Sequence, residues 1–126
     1  RSNSGVAELN WPIDEIEIRL ADTYLMEAEA LVRSGGNATR ALELLTAVRA
    51  RVGLAAVPAT LDNIYNERRL ELAFEGHRFF DLVRSNRAVA TLGSVGYKSG
   101  KSELLPIPQQ EIDLTKGVIK QNPGYN

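Results

Sequence analysis

The chain has 126 residues, 44% hydrophobic and 25% charged, which is the make-up of one globular domain and argues against disorder. Its 15 Lys and Arg against 16 Asp and Glu give a net charge of −1, so there is no basic footprint for nucleic acid. With no cysteine, disulfides, thiol catalysis and thiolate metal sites are excluded, while the redox compartment stays open.

No apolar run approaches the roughly 20 residues of a membrane helix. No charged-then-apolar leader is visible, so the chain is expected to be mature, internal or truncated. Residues 1–12 read as an incoming strand or loop. Pro12 suits a first helical turn, and Asp14, Glu15 and Glu17 put acid at the positive helix end. The spacing predicts a helix over 13–34, stopped by Gly35 and Gly36. Its apolar stripe is Ile13, Ile16, Leu20, Tyr24, Ala28 and Leu31, widened by Ile18, Ala21, Leu25 and Val32. Glu15, Asp22, Glu29 and Arg33 are assigned to the wet side.

Asn37 is a good N-cap for a second helix over 38–52, with Leu42, Leu45, Val48 and Val52 inward and Gly53 as a left-handed cap. Two helices joined by a Gly-Gly turn pack antiparallel, so 13–53 is read as a hairpin about the length of a tetratricopeptide repeat. Ala55 to Ala59 is a connector, and Thr60 caps a third helix from Leu61. That helix is expected over 61–76, and the charged signature as one long helix over 60–84. Residues 85–103 read as a mobile loop after a short helical tail. Leu104-Leu105-Pro106-Ile107-Pro108 is extended, Gln109 to Asp113 is one turn, and the end is a turn and terminus. The fold class is therefore mostly α: a tetratricopeptide-like hairpin, a third long helix and an irregular tail over 85–126.

The third helix carries a charged ribbon. Glu67, Arg68, Glu71, Glu75, Arg78, Asp81 and Arg84 recur at spacings that meet on a helix surface. Were the helix continuous past Gly76, Leu61, Tyr65, Leu72, Phe79 and Val83 would line one side and Leu70 and Phe74 another. The charges project between these stripes, which favours a partly buried ion-pair network over a solvated face; Arg69 falls on the wet side. Glu71 and Glu75 could serve glycoside cleavage only if one pKa were raised. Arg68 and Arg78 instead keep both ionised. His77 has no second His or Cys at ligand spacing, and neither a nucleophile elbow nor a phosphate loop occurs. No catalytic residue, metal site or cofactor is expected. Trp11 and Tyr97 are the candidate sugar-stacking residues, although Trp11 suits packing at the helix entry better.

Four segments resemble one family. Leu20-Ala21-Asp22-Thr23-Tyr24-Leu25-Met26-Glu27-Ala28-Glu29-Ala30-Leu31 resembles a characteristic helix of the SusD/RagB outer-membrane nutrient-binding lipoproteins. Glu67-Arg68-Arg69-Leu70-Glu71-Leu72-Ala73-Phe74-Glu75-Gly76-His77-Arg78, with Asp81, Leu82 and Arg84, resembles its charged signature. Leu105-Pro106-Ile107-Pro108 with Glu111-Ile112, and Gln121-Asn122-Pro123-Gly124-Tyr125, resemble its closing segments. Their order and spacing agree from residue 11 onward.

The resemblance implies a non-enzymatic glycan- or peptide-capturing protein, lipid-anchored on the extracellular face of the outer membrane as a lid over a TonB-dependent transporter. Family members are several times longer, so the whole of 1–126 is expected to be the C-terminal portion of such a fold. The resemblance implies that the sugar-contacting aromatics lie mostly in the missing part or in variable insertions, and self-association of the fragment is expected. The alternative is a free-standing helical-repeat adaptor that binds peptide; a small glycosidase rests only on Glu71 and Glu75.

Overall fold

The computed structural model describes residues 17–125. Trp11 and the first residues of the expected opening helix lie outside that range. The described residues contain helices and no strand, and they divide into two compact units between Glu75 and Gly76.

The first unit holds α1 (Leu20–Ser34), α2 (Ala38–Ala50) and α3 (Leu61–Glu71). Residues 17–19, expected inside the first helix, are not helical. Arg19 is extended at φ −138°, ψ 162°, and its side chain reaches across to Glu71 and Glu75. Gly35 ends α1 in the left-handed region at φ 66°, and the Gly36 N–H returns to the Leu31 carbonyl at 2.8 Å. Such a cap satisfies orphan carbonyls while reversing the chain. Asn37 then caps α2, its side chain accepting the Arg40 N–H at 2.9 Å. The result is the antiparallel hairpin that the Gly-Gly turn predicts.

Leu25, Ala28, Ala41, Leu44, Leu45, Val48 and Ile64 form the core. Full burial of each Leu or Ile there contributes about 1.5–3 kcal/mol. Leu42 and Val52, expected inward, are exposed. Ala41, Leu44, Leu45 and Val48 follow the i, i+3, i+4, i+7 rule more completely, and that face wins. Asp22 and Glu29, assigned to the wet side, are buried, because α3 lies against that side of α1 and brings partners for both.

Thr60 caps α3 by accepting the Asn63 N–H at 3.2 Å. The helix stops at Glu71, short of the expected 76, and it is not continuous to 84. Phe74 at φ 67° and Gly76 at φ 79° both sit in the left-handed region, which breaks the helical hydrogen-bond ladder. Leu72 and Tyr65 are buried as expected, whereas Leu70 and Phe74 are exposed and form no second apolar wall.

The second unit contains α4 (Arg78–Arg84), α5 (Ala88–Leu92) with a 3-10 turn over Gly93–Val95, and α6 (Gln109–Leu114). Leu82 and Ala88 are its buried apolar residues. Part of the expected mobile loop is thus helical: Asn86 turns at φ 60°, the Arg87 N–H bonds the Leu82 carbonyl at 2.8 Å, and Ala88 is drawn inward. α6 coincides with the turn expected after Pro108. The extended 104–108 segment is held by side chains of the tail. Gln121 accepts from the Ile107 N–H and donates to its carbonyl, each at 2.8 Å, and Asn122 and Tyr125 donate to the Leu105 and Leu104 carbonyls.

Candidate functional site

The charged signature of α3 spends itself on α1 and α2. Arg68 donates to Asp22 at 2.6 Å, and Glu67 accepts from Arg49 at 2.5 Å while Arg49 also donates to the Ala55 carbonyl at 2.7 Å. Glu71 takes Arg19 at 2.6 Å and Arg51 at 2.7 Å. Glu75 accepts from Arg19 at 2.8 Å. Further along α1, Glu29 accepts from the Tyr65 hydroxyl and from Arg33, both at 2.9 Å, and Arg33 also donates to the Tyr65 oxygen. These pairs tie three helices at several heights.

Protonation follows from the pairing. Burial pushes the Glu71 carboxyl up, but hydrogen bonds from Arg19 and Arg51 outweigh it and hold the group below its ordinary value. Glu75 and Glu71 hold the Arg19 proton more firmly than usual. Burial, then Glu29, raise the Tyr65 hydroxyl against the opposing pull of Arg33. A general acid for glycoside cleavage needs a carboxyl kept protonated near neutrality. Glu71 is displaced the other way.

The remaining ribbon residues belong to the second unit. Asp81 is buried and accepts from Arg84 at 2.6 Å, one turn along the same helix. Arg78 opens α4 and is exposed. Tyr97 is half-buried with its ring centroid 6.4 Å from that of Phe79. Burial and a hydrogen bond to Glu103 raise its hydroxyl, which is therefore committed inside the unit. The other candidate platform, Trp11, lies outside the described residues.

Periodicity does not reveal a cleft of about 400 Å³ beside the ion pairs, lined by Arg19, Leu20, Ala21 and Tyr24 of the α1 end and Ala47, Val48 and Arg51 of α2. Its floor is apolar and two guanidinium groups border it. Among the described residues, no cluster of three metal-ligating side chains occurs, and no helix is long and apolar enough to cross a membrane.

An antiparallel hairpin braced by a third helix through buried charge pairs defines an all-helical scaffold. The chain belongs to the SusD family, whose family model matches residues 2–125. It is 40% identical over 130 residues to a SusD-like protein of Formosa agariphila, covering 90% of this chain and 25% of that one. It is 30% identical over 130 residues to the starch-binding protein SusD of Bacteroides thetaiotaomicron, covering 95% and 23%. Among solved structures, a laminarin-binding SusD-like protein is 61% identical with a TM-score of 0.78, over 86% of this chain and 22% of that one. Surface glycan-binding protein A of Bacteroides thetaiotaomicron, in complex with laminarihexaose, is 39% identical with a TM-score of 0.81, over 91% and 26%. The chain thus spans about a quarter of the length of the curated relatives it matches.

Proposed function

We propose that the chain is the C-terminal portion of a non-enzymatic glycan-binding protein and supplies helical scaffold rather than the principal sugar-contacting surface. The observation that carries this reading is the commitment of the charged signature: Glu67 and Arg68 are engaged with Arg49 of α2 and Asp22 of α1, and Glu71 and Glu75 with Arg19 and Arg51 at the ends of those helices. Side chains already paired within the fold have little capacity left for ligand hydroxyls or for proton transfer. Relatives described as binding starch, laminarin and laminarihexaose support a glycan as the ligand class.

Anchoring by lipid at the extracellular face of the outer membrane, and work as a lid on a TonB-dependent transporter, extend the same reading to the whole protein. Titration calorimetry with laminarihexaose tests it. The longer polypeptide containing this sequence should bind, and the chain of 126 residues should bind far more weakly or not at all. Equal micromolar affinity for both, lost on Trp11→Ala or Tyr97→Ala, would place the sugar site here and defeat the scaffold reading. Release of reducing sugar, abolished by Glu71→Gln, would defeat the non-enzymatic one.

A further inference from the structure

Arg19 stands just ahead of α1 with an extended backbone, and its side chain crosses to the far end of α3. One guanidinium there meets three groups. Nη1 donates to the Glu71 carboxylate at 2.6 Å, Nη2 donates to the Glu71 carbonyl, and Nε and Nη2 each donate to Glu75 at 2.8 Å. The two acids lie 52 and 56 residues further along the chain. Arg51 bonds the Glu71 carboxylate too, at 2.7 Å, from the end of α2.

That end of α3 needs such a partner. The last helical carbonyls lack N–H donors, and the negative end of the helix dipole disfavours two carboxylates four residues apart. Between Glu71 and Glu75 the chain also makes a turn in which Phe74 sits at φ 67°, a left-handed conformation that strains a bulky residue. Strained backbone persists where the flanking structure over-determines it. Here both flanks, Glu71 and Glu75, are gripped by the same guanidinium, and Glu75 is the last residue of the first compact unit.

We propose that Arg19 is a latch: by capping α3 and holding Glu71 and Glu75 in one fork, it fixes residues 72–75 in their turn and sets the end of the first unit at Glu75 rather than at Glu71. The latch is a side chain, not a stretch of backbone. The Arg19 carbonyl accepts the Asp22 and Thr23 N–H groups at 3.0 and 3.3 Å, so its main chain stays with α1 whether the fork is closed or open. Opening the fork frees residues 72–75 while the core around Leu45 and Ile64 keeps its place. Lysine in place of Arg19 carries the charge but presents a single ammonium, which does not reproduce the planar fork.

Amide hydrogen exchange in the polypeptide that carries this sequence tests the latch, read at Leu72 and Glu75 against Leu45 and Ile64. In the parent the Leu72 N–H bonds the Arg68 carbonyl at 3.0 Å and the Glu75 N–H bonds the Leu72 carbonyl at 3.2 Å. Arg19→Ala and Arg19→Lys should each speed both amides by about tenfold or more, and leave Leu45 and Ile64 within about twofold. Adding Phe74→Gly to Arg19→Lys should restore most of the Leu72 protection, because glycine adopts the turn without strain and needs the fork less.

Equal acceleration at all four amides would make Arg19 a contributor to global stability alone and overturns the latch. Unchanged exchange at Leu72 and Glu75 in Arg19→Ala overturns it as well, as does full protection in Arg19→Lys or a failure of Phe74→Gly to rescue. If Arg19→Ala does not fold, Arg19→Lys with and without Phe74→Gly decides by the same readout.

Discussion

Arg68 of α3 and Asp22 of α1 meet at 2.6 Å with relative exposures of 4% and 5%, so each is the other's replacement for water. Removing either leaves a charge in a low-dielectric setting, which costs about 3–5 kcal/mol when a buried pair is broken. Arg69, its sequence neighbour, is exposed. Urea unfolding of Arg68→Ala and Asp22→Ala should therefore show losses of that order, and Arg69→Ala less than about 0.5 kcal/mol. Three equal small losses would reduce the pair to a surface contact.

The pair also marks the limit of what the sequence discloses. Asn37, Thr60, Gly35 and Gly53 announce the helix ends because capping is local chemistry, and the order of helices follows from them. Asp22 and Glu29 look solvated on a helical wheel because a wheel registers only the helix itself. Their partners stand 46 and 36 residues away. The stop at Glu71 was equally hidden: Gly76 hints at it, but Phe74 in the left-handed region goes against its own propensity. The charged signature was visible as a ribbon, yet its partners on α1 and α2 required the fold. The cleft between Tyr24 and Val48 joins residues of two helices and has no signal along the chain.

Tyr65 offers a second test of that hidden side. Its hydroxyl donates to Glu29 at 2.9 Å, and Glu29 is buried. Tyr65→Phe keeps the ring and deletes the donor, leaving the carboxylate oxygen short of one hydrogen bond. Arg33 still bonds the same oxygen at 2.9 Å, so the expected cost is about 1.5–3 kcal/mol, the range for one hydrogen bond to a charged group. Chemical denaturation measures it, and an unchanged midpoint would mean the hydroxyl contributes nothing.

Acid should loosen the Glu71 cluster. Although burial opposes it, pairing with Arg19 and Arg51 puts the folded-state carboxyl below its ordinary 4.5. A depressed folded value means the unfolded chain takes up the proton first as pH falls. The stabilisation is then complete above about 4.5 and is lost as pH drops through the lower folded value. Glu103, held below its ordinary value chiefly by its own and the Gly100 backbone N–H groups, adds to the same slope. The informative quantity is therefore the difference between parent and Glu71→Gln. That difference should be constant near neutrality and shrink below about pH 4.5, and a difference independent of pH would show that Glu71 does not carry the acid response.

Gln121 carries the last prediction, because its amide does the work of a missing neighbouring strand. Oε1 accepts the Ile107 N–H at 2.8 Å, and Nε2 donates to the Ile107 carbonyl at 2.8 Å. The prolines on either side of Ile107 have no N–H to offer, so this residue is where the extended segment can be gripped from both polar groups. The acceptor and the donor are both needed, and the amide supplies them together at any pH, which an ionised carboxylate does not. Gln121→Ala removes both bonds, and Gln121→Glu keeps an acceptor but sets a carboxylate against the Ile107 carbonyl. Amide hydrogen exchange read at Ile107 should accelerate in both variants, by tenfold or more if the net loss is about 1.4 kcal/mol. At a pH low enough to protonate the introduced carboxyl, Gln121→Glu regains a donor and should recover part of the protection, while Gln121→Ala should not. Ile107 exchange unaltered in Gln121→Ala would mean that the tail merely lies beside the 104–108 segment and does not hold it.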